Sequence, residues 1–68
     1  MQIRYDKLWK LLEFCQLSKS EFQEKIEISD PTMTKLTRNK RVSMDIMLKI
    51  CKELHCDIGD VMEVKEEV

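Results

Sequence analysis

The 68 residues leave room for one small domain, because a chain of this length buries only about 60% of the surface it exposes when unfolded. Its 43% hydrophobic and 37% charged residues are typical of a folded, soluble protein, and no apolar run approaches the roughly 20 residues that cross a bilayer. One glycine and one proline leave little turn chemistry for a β protein, so composition favours helices. We expect an all-α domain with no membrane segment and no signal peptide.

The three cysteines, Cys15, Cys51 and Cys56, show no Cys-x-x-Cys spacing. An odd number without that spacing gives little support to a disulfide framework or a four-ligand zinc site. His55 beside Cys56 supplies two candidate ligands, but no complementary pair follows, so ordinary half-buried residues are the preferred interpretation. We expect reduced cysteines, a cytoplasmic location, and neither a metal nor another cofactor.

The first helix is predicted at residues 5–16, where apolar residues recur with helical periodicity. They are Tyr5, Leu8, Trp9, Leu11, Leu12 and Cys15. Lys7, Lys10 and Glu13 are left on the opposite side. This helix should carry much of the core, with Trp9 as a packing residue.

Four further helix starts share one local pattern. Ser18 has Glu21 three residues later, as in a capping box, and Leu17 and Phe22 stand five apart around it, as in a hydrophobic staple. The same staple spacing recurs at Ile28/Met33 across Ser29, at Val42/Met47 across Ser43, and at Cys56/Val61 across Asp57. The pattern predicts helices at about 19–26, 31–38, 44–54 and 58–63. With the first helix they form a compact five-helix bundle.

Two details complete this prediction of a single domain at residues 1–68. The staple spacing favours Ser29 as the N-cap of the third helix, whereas Pro31 prefers the first helical position and so favours Asp30. Both remain open at this point. The acidic tail, residues 63–68, is expected to fray.

A basic cluster lies within residues 29–43. It holds four cations, Lys35, Arg38, Lys40 and Arg41, and one acid, Asp30. This segment therefore carries +3 in a chain whose net charge is −1, which leaves −4 for the rest. A local basic patch on an otherwise acidic chain indicates a surface for a polyanion.

The segment LSKSEFQEKI (17–26), the turn after it, and a short helix with Met33 and Leu36 inward resemble the Cro/phage-repressor type of helix-turn-helix, as in small bacterial XRE-like transcriptional regulators. The closing segment LKICKELHCDIGDVM (48–62) extends the resemblance, which covers about residues 5–64. It implies a lambda-repressor-like DNA-binding domain. Two positions depart from the family. Gln23 stands where a small residue is common, and Glu27 where glycine is common, so we expect a left-handed backbone at Glu27 at some cost in strain.

The resemblance also implies a way of docking, in which the second helix crosses the DNA backbone and the third enters the major groove. Carried over position by position, it implies base contacts from Asp30, Pro31, Thr32 and Lys35. It implies phosphate contacts from Ser18, Lys19, Ser29, Thr34, Arg38, Asn39, Lys40 and Arg41.

The chemistry of the four base-facing positions is uneven. Lys35 can donate to guanine O6 and N7, and Thr32 can use its hydroxyl or its methyl group. Asp30 is better interpreted as a helix cap than as an acceptor from cytosine. Pro31 donates nothing and sets the start of the helix. Phosphate contacts should therefore supply most of the affinity.

Three other interpretations compete with DNA binding. Cations at a helix C-terminus complement its dipole, which explains Arg38 but not Lys40 or Arg41 in the loop beyond. A helix-turn-helix fold can instead serve as a protein-interaction module of the antitoxin or antirepressor kind, because one scaffold hosts many roles. An enzyme is disfavoured, since one histidine, one tyrosine and no glycine-rich loop give no catalytic constellation and no evident small-molecule site.

The preferred hypothesis is sequence-specific binding of double-stranded DNA by a small transcriptional regulator, with repression as the expected outcome. One short helix reads few bases, so we expect a homodimer across half-sites about 34 Å apart. Ile58 and Val61 are expected to close the monomer core. Met62 and Val64 are then the candidates for a symmetric contact.

Overall fold

Four α-helices and a two-stranded antiparallel sheet surround one core in the computed structural model, which describes residues 1–66. In chain order the elements are β1 (Gln2–Arg4), α1 (Asp6–Phe14), α2 (Lys19–Ile26), α3 (Asp30–Thr37), α4 (Met44–Leu54), a 3-10 turn (Ile58–Asp60) and β2 (Glu63–Lys65). The first four predicted helices are confirmed, with ends that differ by two residues at most. No helix in residues 1–66 is long and apolar enough to cross a membrane.

The prediction of a fifth helix at 58–63, and so of a five-helix bundle, is wrong. The segment forms a single 3-10 turn, with hydrogen bonds from Asp60 N to the carbonyl of Asp57 at 2.9 Å and from Val61 N to that of Ile58 at 3.0 Å. Gly59 in this turn is a poor helix former. The chain then leaves helical geometry because the next residues pair with β1.

The first three residues of the predicted acidic tail, Glu63–Lys65, form β2. This strand is antiparallel to β1, with Gln2 opposite Lys65, Ile3 opposite Val64, and Arg4 opposite Glu63. The last two residues of the predicted tail, Glu67 and Val68, lie outside the described residues. The pairing closes the fold by tying the N-terminal segment to the residues after the 3-10 turn.

The core draws on every α-helix and on the segment after the 3-10 turn. Its fully buried side chains are Tyr5, Leu8, Phe22, Leu36, Ile50 and Val61. The second partner of each predicted staple is buried, and Val61 closes the monomer core as predicted. The core therefore fixes α2 and α3 from behind, and leaves their polar sides outward.

Serine side chains cap the starts of α2, α3 and α4, as the staple pattern predicts. Ser29 settles the open choice in α3, because its Oγ accepts a hydrogen bond from Thr32 N at 3.4 Å. Asp30 and Pro31 are then the first two residues of the helix. Proline is tolerated there because the first helical N–H groups have no partner within the helix.

Candidate nucleic-acid interface

The turn between α2 and α3 is fixed by one side chain and by a left-handed residue. Glu27 has φ 54°, which confirms the expected left-handed backbone. The Gln23 amide nitrogen, Nε2, donates to the carbonyl of Ile28 at 3.2 Å and to Oδ1 of Asp30 at 2.6 Å. Gln23, which departs from the family pattern, therefore braces the turn that sets the angle of α3.

The outward face of α3 follows from what it buries. Met33 and Leu36 face the core. Pro31, Lys35 and Arg38 are spaced four and three residues apart, so they share one side of the helix. All three are exposed. Thr34, next to them, is exposed as well.

Two of the four predicted base contacts use their side chains within the turn itself. Asp30 accepts a hydrogen bond from Gln23. The Thr32 hydroxyl lies 3.0 Å from the hydroxyl of Ser29, so these two groups hydrogen-bond to each other. Thr32 is also half-buried. Among the predicted base contacts, Lys35 is the exposed residue with donors that no described side chain engages.

The basic loop after α3 begins with a second left-handed residue, Asn39, at φ 57°. Lys40 N donates to the carbonyl of Lys35 at 2.8 Å and Asn39 N to that of Leu36 at 3.3 Å, the bonds of a Schellman motif. Asparagine tolerates this conformation better than most residues. The motif ends the helix and turns Lys40 away from its axis.

Tyr5 fixes this loop from across the fold. Its backbone N–H donates to Asn39 Oδ1 at 3.0 Å, and its phenol donates to the carbonyl of Lys40 at 2.7 Å. The side chain is 1% exposed, and burial raises the pKa of the phenol. Asn39, a predicted phosphate contact, therefore has a structural task for its carbonyl oxygen.

The cations of this surface lack acidic partners. The described residues contain two ion pairs, Arg4 with Asp6 at 3.2 Å and Lys65 with Glu63 at 3.7 Å. No described carboxylate therefore lies within 4.0 Å of the exposed cations Lys35, Arg38, Lys40 and Arg41. Their charge is compensated by solvent and is open to an anion.

At the start of α2, the two predicted phosphate contacts, Ser18 and Lys19, already make different interactions within the protein. Ser18 is used in a capping box: its Oγ accepts from Glu21 N and its N–H donates to Glu21 Oε1, both at 3.1 Å. The bond from the Ser18 N–H, and then the Ser18 hydroxyl, lower the pKa of the Glu21 carboxyl. The Lys19 ammonium lies 4.4 Å from the ring centroid of Trp9, a cation–π contact. Trp9 packs against the core as predicted, and this second task was not predicted.

One cation near the basic loop was missed by the sequence reasoning. Arg4, on β1, lines an open cleft together with Arg38, Lys40 and Arg41. Nothing in the local pattern around Arg4 indicates this position, because it depends on pairing between residues about sixty apart in the chain.

The described residues hold no group of three or more histidine, cysteine, aspartate or glutamate side chains arranged for a metal ion. Cys51 and Cys56 are free and half-buried, and they line one cleft. The pKa of the Cys56 thiol is raised, first by burial and then by Cys51. The thiol therefore stays protonated, which is the inert rather than the reactive form.

A family profile and a solved structure are both similar to this chain. The profile of the Cro/C1-type HTH DNA-binding domain matches residues 7–67. The crystal structure of the transcriptional regulator VanUg is similar at 41% sequence identity, covers 97% of this chain and 88% of its own, and gives a TM-score of 0.94. A search of curated proteins gives no match.

Proposed function

Because the chain belongs to the family of Cro/C1-type HTH DNA-binding domains, we propose that it binds double-stranded DNA sequence-specifically as a small transcriptional regulator, and that it represses. The observation that carries this proposal is the set of unpaired, exposed cations on α3 and the loop after it. A chain with net charge −1 concentrates them on one surface. The proposed DNA partner also implies a cytoplasmic location.

In the proposed complex α2 crosses the backbone and α3 enters the major groove. Lys35 donates to guanine O6 or N7. Asp30, Pro31 and Thr32 face the bases but contribute shape more than donors, because Gln23 and Ser29 engage the polar atoms of Asp30 and Thr32. Readout at a few base pairs then rests on Lys35.

Phosphate contacts supply most of the proposed affinity. Arg38, Lys40 and Arg41 are the principal ones, and Lys19 is held ready over Trp9. Ser18, Ser29, Thr34 and Asn39 are the uncharged members of the proposed set. Each neutralised phosphate adds about 0.9 to the steepness with which log affinity falls against log salt concentration.

A mobility-shift assay across a salt series tests the proposal, using duplexes selected from random DNA. Arg38→Ala and Lys40→Ala should each weaken binding about fivefold at 0.15 M salt and reduce the salt slope by about one, since each removes one phosphate contact. Lys52→Ala is the matched control, because Lys52 is an exposed cation on α4. It should leave affinity unchanged.

Flat, weak binding at low salt, or equal losses in all three variants, would contradict the proposal. That result would favour the protein-interaction module as the function of this fold.

We also propose a homodimer, because one α3 reads too few base pairs for a specific site. Of the two candidates for the symmetric contact, Val64 is 56% exposed on β2, whereas Met62 is half-buried and packs against the core. Val64 is therefore the residue more accessible to a second copy.

A further inference from the structure

An open cleft of about 620 Å³ separates β1 from the loop between α3 and α4. It is lined by Met1, Gln2, Ile3, Arg4, Arg38, Asn39, Lys40, Arg41 and Val64. The lining contains four cations and no carboxylate. One wall is thus the basic loop, and the other is an N-terminal strand that lies outside the helix-turn-helix.

The charge of this cleft is not neutralised from its edges. Arg4 Nη2 lies 3.2 Å from an oxygen of Asp6, but both side chains are about two-fifths exposed, where an ion pair contributes little. Glu63, opposite Arg4 in the two-stranded sheet, pairs with Lys65 instead. Arg4 Nε has no hydrogen-bond partner in residues 1–66, but solvent cannot reach it. The donors that Arg4 offers to an anion are therefore on the terminal nitrogens of its guanidinium, and the side chain is 39% exposed.

Both walls are held in place before any ligand arrives. Tyr5, directly after β1, donates to Asn39 Oδ1 and to the Lys40 carbonyl, so the end of the strand is tied to the loop by two hydrogen bonds. Pairing with β2 holds β1 from another side. A site whose backbone walls are already positioned loses less conformational entropy on binding.

We propose that this cleft binds a phosphodiester group of the DNA backbone, with Arg4 as the contact from β1. The proposal rests on the proposed function and extends its footprint beyond the helix-turn-helix. Lys40 and Arg41 line the cleft and are also proposed phosphate contacts. A DNA strand bound to the loop therefore runs close to Arg4, which lines the same cleft. The guanidinium fork matches phosphate oxygens and makes charge-assisted hydrogen bonds to them.

Two substitutions at one ion pair should act in opposite directions. Arg4→Ala should weaken DNA binding about fivefold at 0.15 M salt and lower the salt slope by about one, because one phosphate contact is lost. Asp6→Asn should tighten binding, because it removes a carboxylate that competes for Arg4 and repels phosphate. Lys52→Ala is again the control. It removes an exposed cation of α4 that does not line the cleft, and should leave the slope unchanged.

The outcomes separate this proposal from the proposed function. If Arg38→Ala weakens binding while Arg4→Ala binds like the unaltered protein, the β1 contact is overturned and DNA binding stands. If no variant affects a weak, salt-independent signal, the proposed function fails first. Thermal melting of each variant checks the fold, and Arg4→Lys, which keeps the charge, should retain the salt slope even if Arg4→Ala melts early.

Inorganic phosphate, titrated into the DNA-free protein by calorimetry, distinguishes a backbone phosphate from a free anion. The proposal predicts weak binding that DNA displaces. Tight phosphate binding that persists in the DNA complex would identify a small-anion site and overturn the backbone contact.

Discussion

At the scale of single residues, the polar side chains at the start of α3 form hydrogen bonds within the turn and are not free for DNA. Asp30 is held by Gln23, and the hydroxyls of Ser29 and Thr32 hold each other. Pro31 has no backbone donor. Of the four predicted base contacts, Lys35 alone is left as a cationic donor, so we expect phosphate contacts to contribute more than the readout of bases.

Tyr5 is the residue on which the position of the basic loop depends. Tyr5→Phe removes the phenol that donates to the Lys40 carbonyl at 2.7 Å and should lower the free energy of unfolding by about 1 kcal/mol at pH 7. Chemical denaturation followed by circular dichroism measures this loss. The same variant should weaken DNA binding, because Lys40 and its neighbours lose a support.

The stability contributed by Tyr5 should also depend on pH. Its folded-state pKa is raised above the usual value of about 10, so this contribution is fully present below pH 10. It declines as pH rises through the folded-state pKa, because the unfolded chain releases the proton first. The difference in stability between the protein and Tyr5→Phe should therefore shrink above pH 10. A constant difference up to pH 11 would show that the phenol is not buried.

At the scale of elements, residues with positive φ stand at the C-terminal ends of all four helices. They are Gln16, Glu27, Asn39 and His55, with φ between 51° and 58°. Glycine usually fills such positions, but the one glycine of the chain stands elsewhere, and its φ is not positive. Each of the three positions other than Asn39 therefore holds strain that glycine would relieve.

Glu27→Gly should stabilise the protein by about 0.5 kcal/mol. The left-handed conformation costs a side chain about 1 kcal/mol, and the greater freedom of glycine in the unfolded chain offsets part of the gain. Thermal or urea unfolding measures the change. Glu24→Gly, an exposed position inside α2 that removes the same charge, should instead destabilise by about 1 kcal/mol. Equal losses in both variants would rule out the left-handed turn.

The two-stranded sheet is the element that changes the interpretation of the surface. It uses residues of the predicted acidic tail, and it places Arg4 beside the basic loop. Two strands alone are marginally stable in water. Here the half-buried Ile3 packs against the core, so the helices stabilise the strand that borders the cleft.

At the scale of the whole molecule, the domain is small, and the proposed homodimer gives it a second α3 with which to read a specific site. Sedimentation across a concentration series should show dimers forming toward high micromolar concentration. Val64→Glu should shift the protein to monomer, because it places charge in the proposed symmetric contact. Leu48→Glu, at a residue of similar exposure on α4, is the matched control. A protein that stays monomeric at high micromolar concentration would contradict the dimer.

The sequence by itself determined the helices whose ends are chemically marked. Ser18, Ser29 and Ser43 each precede an apolar residue at the staple spacing, and these signals act within one turn of helix, so local chemistry suffices. The basic cluster followed from the charges along the chain. The left-handed turn at Glu27 was expected from the resemblance to the helix-turn-helix family and not from local chemistry.

Only the tertiary structure decided which side chains are free to act. Three features join residues more than thirty positions apart. They are the two-stranded sheet, the hydrogen bonds from Tyr5 to Asn39 and Lys40, and the position of Arg4 beside the basic loop. Pairings of this kind depend on how the whole core packs, and they leave no periodic trace in a local segment. The sequence therefore located the basic surface, and packing decided which further residues complete it.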